Sequence, residues 1–211
     1  MAEINGAPPV RADDAGVRGG WPGVFREGLS TTQVVFLASL VAMDFAFGFV
    51  IKNLMHSTGI SHFIHVEMVV PAMLIMLAAQ ALDRFGVIIL YQGAWAVLAT
   101  VALPGAIVPG PFKIPPALLQ GLLYDVLFRA LRGRGRARVY LTAIIGGMVS
   151  SGLFMATRVL LGLPWAPATK LLFASQLASS VLVYGFGAHL SIKVWERARQ
   201  TPLAHFIGAG K

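Results

Sequence analysis

The segment between residues 52 and 67 concentrates side chains that could bind a ligand. It holds an amide, three imidazoles and a carboxylate: Asn53, His56, His62, His65 and Glu67. His62 and His65 are three residues apart, so they share one face if a helix has begun there. Imidazoles and a carboxylate could bind Zn²⁺ or Ni²⁺, or they could hydrogen-bond to an organic substrate. The sequence leaves both interpretations open.

A second set of polar side chains lies on the faces of two predicted helices. Offsets of four, seven and eleven residues align Lys113, Ala117, Gln120 and Tyr124 on one face, and offsets of four align Gln176, Ser180 and Tyr184 on another. These faces could form the wall of a substrate site, or their polar groups could hydrogen-bond between helices.

Arg158 follows the close-packing stripe Ala143, Gly147 and Ser151 by seven residues. Its planar guanidinium suits a carboxylate or a phosphate, because it binds oxygens in pairs. It could instead pair with Glu67 or reach lipid headgroups. The candidate substrate-binding residues are therefore Asn53, His62, His65, Glu67, Lys113, Gln120, Tyr124, Arg158, Gln176 and Tyr184. The basic members of this set favour a substrate with an anionic group.

The elements that position these residues are apolar. Of 211 residues, 56% are apolar and only 12% are charged, and the mean hydropathy is +0.73. Soluble domains average ~25% charged residues, so a water-soluble globular protein is excluded. The chain has no cysteine, which removes thiolate metal sites, iron–sulfur clusters and cysteine nucleophiles. No cofactor is expected.

Six apolar stretches are long enough to approach the ~20 residues that a helix needs to cross a bilayer. They are Thr31–Ile51, Phe63–Leu82, Phe85–Leu103, Pro115–Leu131, Val139–Leu161 and Ala168–Leu190. The spacing of Ser30 and Gln33 predicts a capping box at the start of the first. The predicted fold is an all-α membrane protein, with six transmembrane helices in one compact bundle.

The charge distribution predicts the orientation of this bundle. Thirteen of the seventeen Lys and Arg residues fall in the connections and tails on one side, which predicts cytoplasmic N- and C-termini. We expect a disordered cytoplasmic tail over residues 1–28, a transmembrane domain over 29–192 and a cytoplasmic tail over 193–211. The arginine-rich segment 129–138 is expected to fix topology and contact anionic lipid, rather than to bind nucleic acid.

The first helix has two contrasting faces. Ala38, Ala42 and Ala46 form a stripe of small residues, which would let another helix approach closely. Asp44 lies about 200° around the helix from Ala42, so it is expected to point into the bundle or a wet cavity. The stripe would then face lipid or a partner protein, although ordinary packing within the bundle is the alternative.

These features resemble the S component, the substrate-binding membrane subunit, of energy-coupling factor (ECF) vitamin transporters. The resemblance covers about residues 30–190 and depends on the six helices, the alanine stripe and the segment from Pro109 to Pro116 that leads into Gly121–Asp125. It implies that the stripe docks onto a transmembrane coupling subunit driven by two ATPase subunits. It also implies uptake of a small water-soluble vitamin or vitamin precursor across a prokaryotic inner membrane.

Three other functions are weighed against this interpretation. A metal-ion transporter subunit would use His56, His62, His65 and Glu67. An intramembrane serine protease would need a histidine at the depth of Ser150 or Ser151, whereas His189 is predicted at the cytoplasmic end. A haem subunit would need axial histidines on facing helices, and the predicted positions supply no such pair. We therefore expect a binding protein and not an enzyme.

Overall fold

The structure is a computed structural model, and it describes residues 28–56, 66–102, 108–202, 204 and 207. Within these residues the chain is helical and contains no strand. The α-helices are α1 (Thr31–His56), α2 (Val69–Leu82), α3 (Val87–Ala102), α4 (Ile114–Ala130), α5 (Arg136–Leu160) and α6 (Pro167–Ala198). Short 3-10 turns, Val66–Met68 and Gly110–Lys113, precede α2 and α4.

Three of these helices are long and apolar enough to cross a membrane: Thr31–Ile51 within α1, all of α5, and Thr169–Ala198 within α6. Helices α2 and α3 are apolar but shorter. Large apolar side chains are exposed on the surface, including Leu160 (87%) and Leu182 (75%). Such a surface is typical of a protein that contacts lipid rather than water. The predicted all-α membrane class agrees with these findings.

The sequence predicts the start of α1 more accurately than the end of α6. The capping box is confirmed, because the Ser30 N–H donates to Gln33 Oε1 at 3.1 Å and the Gln33 N–H donates to Ser30 Oγ at 3.3 Å. Helix α6 was predicted to end at Leu190, yet it continues to Ala198. The predicted C-terminal tail therefore begins as helix, because nothing between Leu190 and Ala198 breaks it.

Helix α2 is the core of the bundle. Nine of its residues are buried, and it packs against α6, α1 and α3. It approaches α6 closely at Gly187, where a Cβ atom would lie 2.7 Å from Ala72 Cβ and 2.9 Å from the Val69 carbonyl oxygen. Glycine is therefore required at this crossing, and it brings the two backbones together.

Helices α3 and α4 are joined by a carboxylate cap. The Asp125 side chain of α4 accepts hydrogen bonds from three backbone N–H groups at the start of α3: Gly86 at 3.1 Å, Ile88 at 3.4 Å and Ile89 at 3.1 Å. Gly121, one turn earlier, permits this approach, because a Cβ there would lie 2.7 Å from Ile89 Cα. A carboxylate at a helix N-terminus satisfies N–H groups that have no partner within the helix.

The spacing of Asp125 and Arg129, four residues apart on α4, predicts an ion pair between them, and this prediction is wrong. Asp125 is buried and bonded to the start of α3, whereas Arg129 is exposed. The four-residue spacing allows a contact along α4, but three backbone donors from the neighbouring helix offer the carboxylate a more complete set of bonds. Asp83 is the acid that binds arginine at this end, with Arg132 at 3.0 Å and Arg138 at 2.6 Å.

One end of the bundle carries a cluster of charged side chains, and we call it the basic end. The cluster consists of Asp83, Arg132, Arg136 and Arg138. Arg138 also stacks over the Phe128 ring at 3.5 Å, and Arg136 pairs with Glu196 near the end of α6 at 2.5 Å. Arg84 of the α2–α3 turn donates to the Gly28 carbonyl before α1 at 3.0 Å. The start of α1 and the end of α6 therefore lie at the same end.

Candidate functional site

A cavity of about 280 Å³ lies between the helices, away from the basic end. All six helices contribute to its wall. Its lining residues include Asp44, Phe45, Gly48, Phe49, Glu67, Gln92, Trp95, Lys113, Gln120, Ser151, Phe154, Arg158, Gln176, Ser180 and Tyr184. The volume is near the lower limit for ligand cavities, ~300 Å³, so it suits a small molecule.

Asp44 of α1 is a buried acid in this wall, with 3% of its surface exposed. The phenol of Tyr91 on α3 donates a hydrogen bond to Asp44 Oδ2 at 2.8 Å. The second oxygen, Oδ1, is buried and has no hydrogen-bond partner in the part of the chain that the structure describes. The predicted inward orientation of Asp44 thus agrees with the geometry.

Two basic side chains and a second acid line the cavity with Asp44: Lys113, Arg158 and Glu67. Lys113 is 3% exposed, and its Nζ donates to the Ala99 carbonyl at 2.9 Å, so it does not snorkel to the surface. The Arg158 guanidinium forms no ion pair with a described residue. The cavity therefore offers groups of both signs to a ligand.

Helices α5 and α6 meet at the cavity through small and hydroxyl residues. Ser151 Oγ and Ser180 Oγ are 3.0 Å apart, and both hydroxyls also contact carbonyls of their own helix, at Gly147 and Gln176. The Tyr184 ring packs on Gly147, where a Cβ would lie 2.4 Å from Tyr184 Cδ2. The close-packing stripe predicted on α5 is thus part of the contact with α6.

Aromatic rings give the cavity apolar walls. Phe45 and Phe49 come from α1, Trp95 from α3 and Phe154 from α5. Three amide side chains, Gln92, Gln120 and Gln176, stand among them. Apolar rings with a few convergent polar groups are typical of sites for small organic ligands.

The structure brings six of the predicted substrate-binding residues to this one cavity: Glu67, Lys113, Gln120, Arg158, Gln176 and Tyr184. Tyr124 is buried but does not line it, because its ring packs against Gly146, where a Cβ would be 2.5 Å from Tyr124 Cζ. The His62 and His65 predictions, and the side chains of Asn53 and His56, lie outside the described residues.

The alanine stripe lies on the opposite face of α1 from the cavity. Ala38, Ala42 and Ala46 are exposed, and they are flanked by exposed Val35, Met43 and Val50 (58–61%). Packing inside the bundle, the alternative considered for this stripe, does not occur among the described residues. The stripe is an uncovered apolar surface.

Several lining residues were missing from the predicted set. The sequence predicts that Asp44 faces inward but does not assign it to the substrate site, although its position four residues before Gly48 is a signal for that face. Gln92 and Trp95 on α3 are absent from the predicted set, although an amide within the apolar run of α3 is itself a signal. Sequence spacing aligns residues within one helix, but it does not tell which faces of different helices converge.

The described residues contain no group of three or more His, Asp or Glu side chains placed to hold a metal ion. Comparison with known proteins adds no assignment. No protein-family model, curated protein or solved structure matches this chain. The cavity and the two faces of α1 are therefore the features of the molecule that bear on its function.

Proposed function

We propose that this chain is a solute-binding subunit of a membrane transporter of the ECF type, which captures a small water-soluble organic molecule such as a vitamin or vitamin precursor. The observation that supports this most directly is the cavity of about 280 Å³, which is bordered by residues of all six helices and lined by rings, amides and charges. The apolar surface and the three long apolar helices support a location in the membrane.

The position of the cavity supports capture from outside the cell. The Lys- and Arg-rich connections lie at the basic end, which by the positive-inside rule is the cytoplasmic side. Both ends of the bundle, the start of α1 and the end of α6, share that side. The cavity is nearer the opposite end, so we place it toward the outer surface of a prokaryotic inner membrane.

The exposed alanine stripe supports a partner protein. In a membrane, helices associate by close van der Waals packing, and small residues permit it. Because Ala38, Ala42 and Ala46 are exposed, a transmembrane coupling subunit could pack against them. ATP hydrolysis by attached ATPase subunits would then drive reorientation of the loaded chain, followed by release of the solute inside the cell.

The ligand would hold its anionic group near Arg158 and place its planar portion among the aromatic rings. Arg158 is suited to a carboxylate or phosphate because its donors match pairs of oxygens. Lys113 and the three amides would orient the remaining polar atoms. This mechanism needs no catalytic residue and no cofactor.

The test is mass spectrometry of small molecules released from the detergent-purified chain, with metal analysis of the same sample. A stoichiometric organic compound supports the proposal, and a stoichiometric transition metal favours the metal-ion alternative instead. Gly48→Leu tests the cavity directly. Gly48 lines the cavity and a Cβ there meets no atom within 4 Å, so a larger side chain at this position should occupy the cavity and abolish the bound compound. Absence of any compound from the unaltered chain contradicts solute capture.

A further inference from the structure

The carboxylate of Asp44 has one oxygen that is bonded and one that is not. Tyr91 donates to Oδ2 at 2.8 Å, whereas Oδ1 is buried without a hydrogen-bond partner among the described residues. Asp44 is only 3% exposed, yet it lines the cavity. A buried oxygen without a hydrogen-bond donor costs free energy. A ligand in the cavity that donates a hydrogen bond to Oδ1 would remove this cost.

The surrounding side chains limit what that donor can be. No Lys, Arg or His side chain forms an ion pair with Asp44 in the described part of the chain. A single buried phenol bond leaves the negative charge of an aspartate largely uncompensated, so the charged form of Asp44 needs a partner of opposite sign. A cationic group in the cavity would supply both the charge and the hydrogen bond.

An organic cation fits this position better than a metal ion. Hard divalent cations take six or more oxygen ligands or several carboxylates, and the described residues contain no metal-ligating cluster. The rings of Phe45 and Trp95 share the cavity with Asp44. An acid beside aromatic faces is suited to a protonated nitrogen, which gains cation–π attraction as well as the ion pair.

Arg158 lies further from the basic end than Asp44. Measured along the helix axes from the basic end, Asp44 is roughly 20 Å from the start of α1 and Arg158 roughly 33 Å from the start of α5. The difference is about the length of a small extended solute. A molecule with opposite charges at its two ends would therefore satisfy both groups at once.

We propose that Asp44 binds a protonated nitrogen of the transported solute, which, together with the anionic group assigned to Arg158, makes the solute a zwitterion. The inference rests on the proposed function, because it names the chemistry of the cargo in the same cavity. In this assignment Asp44 Oδ1 accepts the hydrogen bond from the solute, while the Tyr91 phenol holds Oδ2.

The probes are benzylamine and benzyl alcohol, which have nearly the same shape but differ in charge. Binding of each to the purified full chain is measured by thermal shift and by tryptophan fluorescence. We expect benzylamine to bind the unaltered chain about tenfold or more tightly than benzyl alcohol. Asp44→Asn should remove this preference, and Tyr91→Phe should reduce it, because the phenol then no longer holds Oδ2 or stabilises the charged carboxylate. Glu196→Gln, which removes an acid at the basic end, should leave it unchanged.

The assignment is overturned if the two probes bind equally to the unaltered chain. It is also overturned if the preference for benzylamine persists in a folded Asp44→Asn variant. If Asp44→Asn does not fold, two other measurements test the assignment. They are the preference of the unaltered chain for benzylamine over benzyl alcohol, and the direction in which Tyr91→Phe changes that preference. A released cargo without a protonated nitrogen also overturns it. These failures differ from failure of the proposed function, in which the unaltered chain releases no organic compound at all.

Discussion

The Tyr184 ring lies directly on the backbone of Gly147, with no room for even a methyl group between them. A Cβ at Gly147 would be 2.4 Å from Tyr184 Cδ2 and 2.5 Å from Cγ. Tyr184 is also part of the cavity wall. The contact between α5 and α6 therefore determines the shape of the cavity.

Gly147→Ala should destabilise the chain and reduce ligand occupancy, because the ring must move into the cavity. Overpacking costs about 1–3 kcal/mol, which exceeds the gain of ~1 kcal/mol from replacing glycine in a helix. Denaturant unfolding followed by tryptophan fluorescence measures the net effect. Gly152→Ala on the same helix is the control: a Cβ there meets no atom within 4 Å, so that variant should be as stable or more stable. Equal stability of the two variants would refute the prediction.

Asp125→Asn should destabilise the chain by about 1–3 kcal/mol, because the amide has one acceptor oxygen for three backbone donors. The matched substitution is Asp83→Asn at the basic end. Asp83 is 43% exposed, and exposed ion pairs contribute at most about 1 kcal/mol. We also expect added salt to weaken the Asp83 contacts and to leave the Asp125 cap unaffected. A larger loss in Asp83→Asn than in Asp125→Asn would show that the cap is less important than its geometry indicates.

Arg158→Glu should lower the amount of co-purified solute about tenfold or more, because it replaces a charged donor with a charge that repels an anionic group. Quantitative mass spectrometry of the released compound measures this change. Lys170→Glu provides the comparison, since Lys170 is exposed and does not line the cavity. If occupancy is the same in both variants, Arg158 does not bind the solute.

Ala42→Phe should reduce the ATPase activity recovered with the affinity-tagged chain from its own membranes, while the cavity keeps its ligand. The reason is steric, because a ring at the centre of the stripe prevents close approach of a partner helix. Ala178→Phe places the same ring on an exposed position of α6 and should leave the recovered activity unchanged. Undiminished ATPase activity with Ala42→Phe would count against docking at this face.

Much of the fold could be predicted because the signals are local. The reciprocal Ser30–Gln33 bonds and the outward alanines of α1 follow from spacing within one helix. The end of α6 could not be predicted from hydropathy, because the helix continues beyond the apolar run into a charged segment that ends at Ala198. A helix end depends on capping and packing as well as on composition.

Contacts between helices were the harder part of the prediction. Asp125 and Arg129 have the spacing of an ion pair, yet the carboxylate bonds to α3. Similarly, Tyr124 shares a face with Gln120 but packs on Gly146 rather than lining the cavity. In both cases a glycine on one helix lets a neighbouring helix approach, and the identity of that neighbour is a tertiary property.

Helix α1 alone separates the cavity from the outer surface that carries the alanine stripe. Its inner surface presents Asp44 to the cavity, and its outer surface presents Ala42 two residues earlier. The distance across a helix is about 10 Å, so a solute inside and a protein outside would be separated by a single backbone. Any rotation of α1 that improves the contact of Asp44 with the solute must turn the alanines by the same angle, and the filled and empty states would then present different surfaces to the membrane.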